Sequence, residues 1–294
     1  MSAGPQGLLT RGPLLLLFLP GCGRLKELRY EPAMSPAQWC EMRPCVDLGS
    51  MVLTEPLGTF LVFLLALLWV GAGLYFLGFR RGQRSRFWLG VALLLGGIGA
   101  AQAGISYQAL SYELKCAGRE QCLLTNGFEV GYSVTQALSV SAMLTAVAFA
   151  CTSARLRRVL VAYSIVNAAV YVAVAFAGVT LPSRALLSFE VLMLFALPGI
   201  AAVIAISARR LLHSRAVADR SLLVATLLLV AVQVAYFSYQ AAGVTARLWD
   251  GGRGFYFSEN DVLHVGMMLW LGYVVAFLGP QLRDLEPDAR SLRA

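Results

Sequence analysis

Seven stretches of the chain are apolar for long enough to cross a membrane, and this pattern constrains the fold more than any other feature. About 20 apolar residues in a helix cross the roughly 30 Å hydrocarbon core of a bilayer. Backbone hydrogen bonds must be satisfied internally there, which favours helices. The sequence therefore predicts an all-α, polytopic membrane protein with seven transmembrane helices. Its predicted spans are 57–78, 87–110, 130–151, 159–180, 185–207, 221–243 and 262–279.

The composition of the 294-residue chain supports this fold class. Apolar residues make up 58% of the chain and charged residues 14%, with a mean hydropathy of +0.69. Soluble domains carry about 25% charged residues, so the composition excludes a soluble enzyme, a disordered chain and a coiled coil. A net charge of +8 would be compatible with nucleic-acid binding, but the sequence has no basic run interleaved with aromatic residues on a soluble face. We therefore predict no nucleic-acid partner, and membrane lipids as partners.

The basic residues of the loops indicate the orientation of the chain. The loops 80–86, 152–158 and 208–220 carry eleven Arg, whereas the intervening loops carry five Arg and Lys. Basic loops face the cytoplasm, so the N-terminus is predicted outside and the C-terminus inside. The preference for Arg over Lys is typical of a GC-rich genome, and we predict the bacterial cytoplasmic (inner) membrane.

The predicted organisation is an external head over 1–56, a bundle over 57–279 and a cytoplasmic tail over 280–294. The apolar run Leu14–Pro20 follows Arg11, a pattern typical of a secretory signal peptide over 1–22. A lipidated Cys22 in the lipobox-like Leu19-Pro20-Gly21-Cys22, an uncleaved leader and a true start at Met34 are the alternatives.

Four of the six cysteines lie outside the membrane in this topology, where an oxidising compartment permits disulfides. The sequence predicts disulfides among them and leaves the three pairings open. These are Cys40, Cys45, Cys116 and Cys122.

Polar side chains on five predicted spans fall at the same depth, in the half of the membrane next to the head. Ionisable groups at such positions are functional candidates, and residues three or four apart share a helix face. The sequence therefore predicts a polar chamber near the external face, above a nearly apolar inner half. The polar residues are Gln102, Ser106, Glu129, Tyr132, Gln136, Glu190, Gln233, Tyr236, Gln240, Asn260, Asp261 and His264.

Three short segments resemble the alkaline ceramidase branch of the seven-span CREST superfamily. They are Trp39-Cys40-Glu41 with Glu55 before span one, Gly104-Ile105-Ser106-Tyr107 with Tyr112-Glu113, and Asn260-Asp261-Val262-Leu263-His264. The resemblance implies a calcium site and a disulfide in the head, with Trp39, Glu41 and Glu55 at the calcium site. It also implies an active-site Ser106 and a zinc ligand at His264.

The zinc site implied by this resemblance is degenerate. The family uses three histidines, but this chain has only two, and Asn260 and Leu110 occupy the other expected positions. Zinc also accepts carboxylates, so a mixed site of His264, Asp261 and Glu129 is the remaining zinc hypothesis.

Two functions follow from these features. One is a hydrolase for lipid amide or ester bonds, in which Ser106, Glu129, Asp261 and His264 are the catalytic candidates. The other is a non-catalytic receptor or sensor that binds a lipid or small ligand in the chamber. The external loop 244–260 is then a candidate lid, or alternatively part of an interfacial aromatic belt. A transporter ranks last, and a retinal protein is excluded because both lysines lie outside the spans.

Overall fold

The computed structural model describes residues 24–214, 216–249 and 254–285. The predicted leader lies outside the described residues, as does the part of the tail after 285. The head begins with a 3-10 turn at Arg24–Glu27 and helix α1 at Pro36–Glu41. An antiparallel hairpin follows, with strand β1 at Cys45–Asp47 paired to strand β2 at Val52–Thr54.

Helices α2 to α10 follow the head. In chain order they are α2 (Pro56–Gly78), α3 (Arg84–Ala103), α4 (Ser111–Lys115), α5 (Gly127–Cys151), α6 (Ala154–Thr180), α7 (Phe189–Ser214), α8 (Val217–Ala241), α9 (Val244–Trp249) and α10 (Glu259–Tyr273). A π-helix, Gly104–Ala109, continues α3, and the segments Val274–Leu278 and Gly279–Gln281 continue α10. All but the short α4 and α9 are long and apolar enough to cross a membrane, which confirms the seven-span prediction.

Several helices begin earlier than the apolar pattern predicted because capping residues, rather than apolar side chains, set where they start. The Asn126 side chain accepts a hydrogen bond from the Phe128 N–H, so α5 begins at Gly127 rather than near 130. Ser258 and Asp261 form a reciprocal capping box, so α10 begins at Glu259 rather than 262. Such caps satisfy backbone N–H groups that have no partner inside the helix.

Glycine lets α2 and α3 pack closely in the part of the bundle next to the head. A Cβ atom at Gly96 would overlap the Trp69 ring, and one at Gly104 would lie 2.6 Å from a Val62 methyl carbon. Only glycine leaves room for these contacts. They fix the indole of Trp69 against α3, where it lines the interior of the bundle.

The disulfide Cys40–Cys45 lies within the head, and the disulfide Cys116–Cys122 lies in the segment between α4 and α5. These two bonds confirm the disulfide prediction and resolve the pairing. Trp39 is buried against Cys116 and Cys122. Backbone bonds from the Cys122 N–H to the Met34 carbonyl and from the Leu124 N–H to the Leu28 carbonyl dock the head onto the segment before α5. The head therefore packs against the bundle.

Candidate functional site

A chamber of about 310 Å³ lies between α2, α3, α5, α8 and α10, in the half of the bundle next to the head. Polar stripes on α5, α8 and α10 converge on it, as predicted, and α2 and the π-helix that continues α3 add further hydrogen-bonding residues. The hydrogen-bonding residues are Trp69, Tyr107, Gln108, Tyr132, Gln136, Gln233, Tyr236, Asn260 and His264. Among the described residues that line the chamber, none carries an Asp, Glu, Lys or Arg side chain. The chamber is therefore polar without fixed charge.

The floor of the chamber is aromatic. Trp69 lines the chamber, and its ring centroid lies 5.5 Å from that of Trp270. Trp270 lines a smaller cavity of about 100 Å³ beneath it, whose walls are nearly all apolar, with Val147 and Leu222 among them. The inner half of the bundle is thus mainly apolar, as predicted, and the two indoles separate it from the polar chamber.

Six of the twelve polar residues predicted at this depth do not line the chamber: Gln102, Ser106, Glu129, Glu190, Gln240 and Asp261. Gln102 accepts a hydrogen bond from the Thr135 hydroxyl at 3.3 Å, so it joins α3 to α5. Gln240 is exposed near the end of α8. A helical stripe fixes only a direction around the helix axis, and the packing of neighbouring helices decides which of its members face a cavity.

His264 is the predicted catalytic residue that does line the chamber. Its side chain is buried, and Nδ1 has no hydrogen-bond partner. The side-chain oxygen of Gln108, on the chamber wall, is also buried without a partner. The indole nitrogen of Trp69, on the floor of the chamber, is a third such atom. Buried polar atoms are nearly always hydrogen-bonded, so these three atoms mark places where a bound molecule would supply the missing bond.

Ser106 and Glu129 form a separate buried cluster. The Ser106 hydroxyl donates to Glu129 Oε1 at 2.9 Å and accepts from Asn126 Nδ2 at 2.7 Å. The Lys115 ammonium lies 2.5 Å from the same Glu129 oxygen and donates to the Leu124 carbonyl. Both side chains of this ion pair therefore bond to other groups of the protein.

The cluster faces a second cavity rather than the chamber. Glu129 and Lys115 line a space of about 410 Å³, together with Tyr171, Arg184 and Glu190. Glu190 was predicted to join the chamber but lies at this second cavity. Tyr107 lines both spaces, and its ring stands between the Lys115 ammonium and the chamber. Ser106 itself lines neither.

The mixed zinc set is not assembled. Within the described ranges, no three His, Cys, Asp or Glu side chains come together in a group that could hold a metal ion. Asp261 caps α10, His264 faces the chamber, and Glu129 is paired with Lys115. No catalytic step through zinc is derived from these three residues.

The calcium set implied by the resemblance is also dispersed. Trp39 is buried in the head, and the Glu41 side chain is exposed. Glu55 is buried, and its Oε1 pairs with Arg43 at 3.2 Å and accepts from the Tyr256 hydroxyl at 3.0 Å. Burial raises the pKa of Glu55 to about 7, although Arg43 opposes this shift. Burial and the neighbouring Glu55 carboxyl raise the pKa of Tyr256.

The predicted lid makes contact with the head. The Trp249 indole N–H donates to the Glu41 carbonyl at 2.9 Å, and its ring packs edge-on against Tyr256 at 5.4 Å. Tyr239 of α8 donates to the Phe257 carbonyl at 2.8 Å. The described parts of the loop, 244–249 and 254–258, are therefore tied to the head and to α8.

Sequence reasoning did not single out Lys115, Asn126 or Gln108. Asn126 stands directly before an apolar run, which is the signal for a helix N-cap. Lys115 gave no such signal, because a lysine beside a cysteine in an external loop is ordinarily solvated. Its burial depends on the head folding over it, with the Trp39 and Tyr107 rings 5.6 and 5.1 Å from the ammonium.

Comparison with protein families, with curated proteins and with solved structures finds no match. The resemblance to alkaline ceramidases therefore stays a prediction from short motifs.

Proposed function

We propose that this chain is a seven-span binding protein, of the receptor or sensor type, that holds an uncharged lipid headgroup or small polar ligand in its chamber. The observation that carries the proposal is the set of three buried, unpartnered atoms on the chamber lining, His264 Nδ1, Gln108 Oε1 and Trp69 Nε1. Natural proteins rarely leave such atoms unsatisfied, so a ligand that bonds to them accounts for their position.

The lining indicates the chemistry of the ligand. A charged ligand buried here would have no counter-charge among the described lining residues, and burying an unpaired charge is costly. Gln108 Oε1 requires a donor, and the amides of Gln136 and Gln233 offer both donors and acceptors. A neutral molecule carrying hydroxyl or amide groups satisfies these requirements.

The volume and surroundings favour a small molecule or a headgroup. Ligand pockets commonly measure about 300–1,000 Å³, and this chamber lies at the lower end with about 310 Å³. Its apolar walls, which include Val62, Leu65 and Met267, suit the first carbons of an acyl chain. The proposed location is the inner membrane of a bacterium, as the Arg-rich composition predicts.

The test compares two glutamines on α8. Gln233 lines the chamber, whereas Gln240 on the same helix is exposed. Wild-type protein, Gln233→Leu and Gln240→Leu would be purified in mild detergent, and their co-purifying molecules identified by native mass spectrometry. We expect wild type and Gln240→Leu to retain the same ligand and Gln233→Leu to lose at least about 80–90% of it, since one buried hydrogen bond contributes about 1–1.5 kcal/mol. Equal retention by all three proteins would contradict the proposal.

Hydrolysis of a lipid amide or ester is the second candidate, and His264 is the observation that favours it. Its buried, unpartnered Nδ1 faces the chamber, and an imidazole in this position suits a general base. The test is release of fatty acid from a lipid amide or ester by purified protein, with His264→Ala as the variant, alongside the zinc content of both proteins. Release that is lost in the variant, with about one zinc per chain, would make hydrolysis the leading function. Binding without release supports the receptor proposal.

A further inference from the structure

A surface cavity of about 530 Å³ lies at the end of the bundle opposite the head, between the end of α5, the start of α6 and the last turns of α7. It shares no lining residue with the chamber or with the cavity beside Glu129. Several lining residues belong to the Arg-rich segments 152–158 and 208–220, so the cavity lies at the expected level of the lipid headgroups. Its lining includes Leu156, Ala205, Ile206, Arg209, Arg210 and His213.

The lining changes from apolar to basic along α7. Ala205, Arg209 and His213 follow one another at intervals of four residues, as do Ile206 and Arg210, so each set shares a helix face. The helix rises by about 12 Å from the first of these residues to the last. The apolar residues therefore lie nearer the middle of the membrane, and the basic residues lie at its surface.

One of the two arginines is already paired. Arg210 Nε donates to Asp219 Oδ1 at 2.6 Å, and Nη1 of the same side chain donates to the Cys151 carbonyl at 2.9 Å. Arg209 is exposed, and its guanidinium forms no hydrogen bond or ion pair with any described residue. Because no Asp or Glu side chain is among the described residues that line the cavity, the charge of Arg209 has no counter-charge there.

Two further features of the cavity suit an anion beside Arg209. His213 Nδ1 lies 2.7 Å from the Arg209 carbonyl. A carbonyl oxygen only accepts, so Nδ1 carries a proton, and the bond holds the imidazole on the face that carries Arg209. Ser153, the N-cap residue of α6, also lines the cavity and makes no side-chain cap, so the positive end of the α6 dipole adds to the potential there.

We propose that this cavity binds the headgroup of an anionic phospholipid, with Arg209 as the main ligand of the phosphate. The planar guanidinium can donate two parallel hydrogen bonds to phosphate oxygens. Basic pockets between transmembrane helices on the cytoplasmic side are a known way of holding acidic lipid headgroups. The inference goes beyond the proposed function, because the chamber lies in the other half of the bundle and its lining carries no Asp, Glu, Lys or Arg among the described residues.

The apolar part of the lining favours a lipid over free phosphate. Ile206 of α7 and Leu156 of α6 both line the cavity, and Leu156 is 43% exposed. An acyl chain would cover these side chains while the phosphate contacts Arg209, whereas a free phosphate would leave them uncovered. One bound lipid would therefore join the start of α6 to the end of α7.

Two arginines give a matched test. Arg209 lines the cavity, whereas Arg158 of α6 is also exposed but does not line it. Wild-type protein, Arg209→Gln and Arg158→Gln would be purified in detergent, and native mass spectrometry would measure their affinities for phosphatidylglycerol and for phosphatidylcholine with the same chains. We expect wild type and Arg158→Gln to bind phosphatidylglycerol about tenfold more tightly than phosphatidylcholine, and Arg209→Gln to lose this preference. Equal losses in the two variants would show diffuse surface charge and overturn the proposal.

A measurement on wild-type protein keeps the test valid if Arg209→Gln fails to fold. We expect saturating phosphatidylglycerol to raise the Tm of the delipidated wild type by about 5 °C, and phosphatidylcholine or glycerol phosphate to raise it by much less. An equal rise with phosphatidylcholine would overturn the anionic assignment, and an equal rise with glycerol phosphate would overturn the lipid assignment.

The chamber variant Gln233→Leu separates this proposal from the proposed function. Gln233 lines the chamber and not this cavity, so Gln233→Leu should bind phosphatidylglycerol as wild type does, and Arg209→Gln should retain the chamber ligand. Loss of the phosphatidylglycerol preference in Gln233→Leu would show that the lipid binds in the chamber, which would overturn the site proposed here.

Discussion

The buried ion pair between Lys115 and Glu129 gives a structural reason for a carboxylate that the sequence predicted to be catalytic. Glu129 was predicted to be functional because placing a carboxylate within a membrane span costs free energy. In the structure its Oε1 receives Lys115 at 2.5 Å and the Ser106 hydroxyl at 2.9 Å, and both ionic side chains are buried. The cluster joins α4 and the π-helix after α3 to the start of α5, which gives a structural reason for a carboxylate at this place.

Removing only one charge of this pair should be severe. Glu129→Gln leaves the Lys115 ammonium buried without its counter-ion, so we expect a loss of about 3–5 kcal/mol in the free energy of unfolding. The double variant Lys115→Met with Glu129→Gln should recover much of that loss, because neither charge is then buried. Denaturant unfolding in detergent measures both, with the exposed Glu190→Gln as the control. A loss in the double variant equal to or greater than that in Glu129→Gln would show that the ion pair is not the cause.

At the scale of elements, the apolar pattern predicted all seven spans, since bilayer thickness alone sets their length. It did not predict their ends, because caps such as Asn126 and Ser258 act through single hydrogen bonds. The polar stripes on α5, α8 and α10 correctly predicted the chamber, but Glu129 was separated from His264. That separation depends on Tyr107, which lines both cavities. Helical periodicity cannot predict how a side chain packs between neighbouring helices.

The start of α3 is capped by a residue that follows α10 in the chain. Gln83 makes no side-chain cap, and Asp284 instead accepts from the backbone N–H groups of Arg84 and Ser85 at 2.8 and 2.7 Å. The Leu285 N–H donates to the Phe149 carbonyl of α5. The first residues of the predicted tail are therefore packed onto the bundle rather than free of it.

This distant cap gives a prediction with a neighbouring control. Asp284→Ala removes both hydrogen bonds and the negative charge at the positive end of the α3 dipole, so we expect a loss of about 1–2 kcal/mol in stability. Arg283→Ala changes an exposed side chain and should cost less than about 0.5 kcal/mol. The midpoint of denaturant unfolding measures both. Equal midpoints for the two variants would show that Asp284 does not stabilise α3.

At the scale of the whole molecule, the odd number of spans puts the head and the tail on opposite sides of the membrane. One disulfide lies in the head and the other in the segment between α4 and α5. Both are at the same end of the bundle. Cys151, the free cysteine among the described residues, ends α5 at the other end. The positions of the disulfides and of the free cysteine therefore indicate the same orientation as the distribution of Arg among the loops, with the head in the oxidising compartment.

Fusion reporters in a bacterial host test this orientation directly. Green fluorescent protein fused after the last residue should fluoresce, because it folds in the cytoplasm, whereas alkaline phosphatase at the same place should be inactive, because it needs disulfides. Alkaline phosphatase fused after Gly243, which follows α8 on the head side, should be active. The reverse pattern would show that the head is cytoplasmic, where a reducing environment would keep Cys40, Cys45, Cys116 and Cys122 as thiols. The chamber would then lie on the cytoplasmic side of the bundle, and its ligand would have to come from inside the cell.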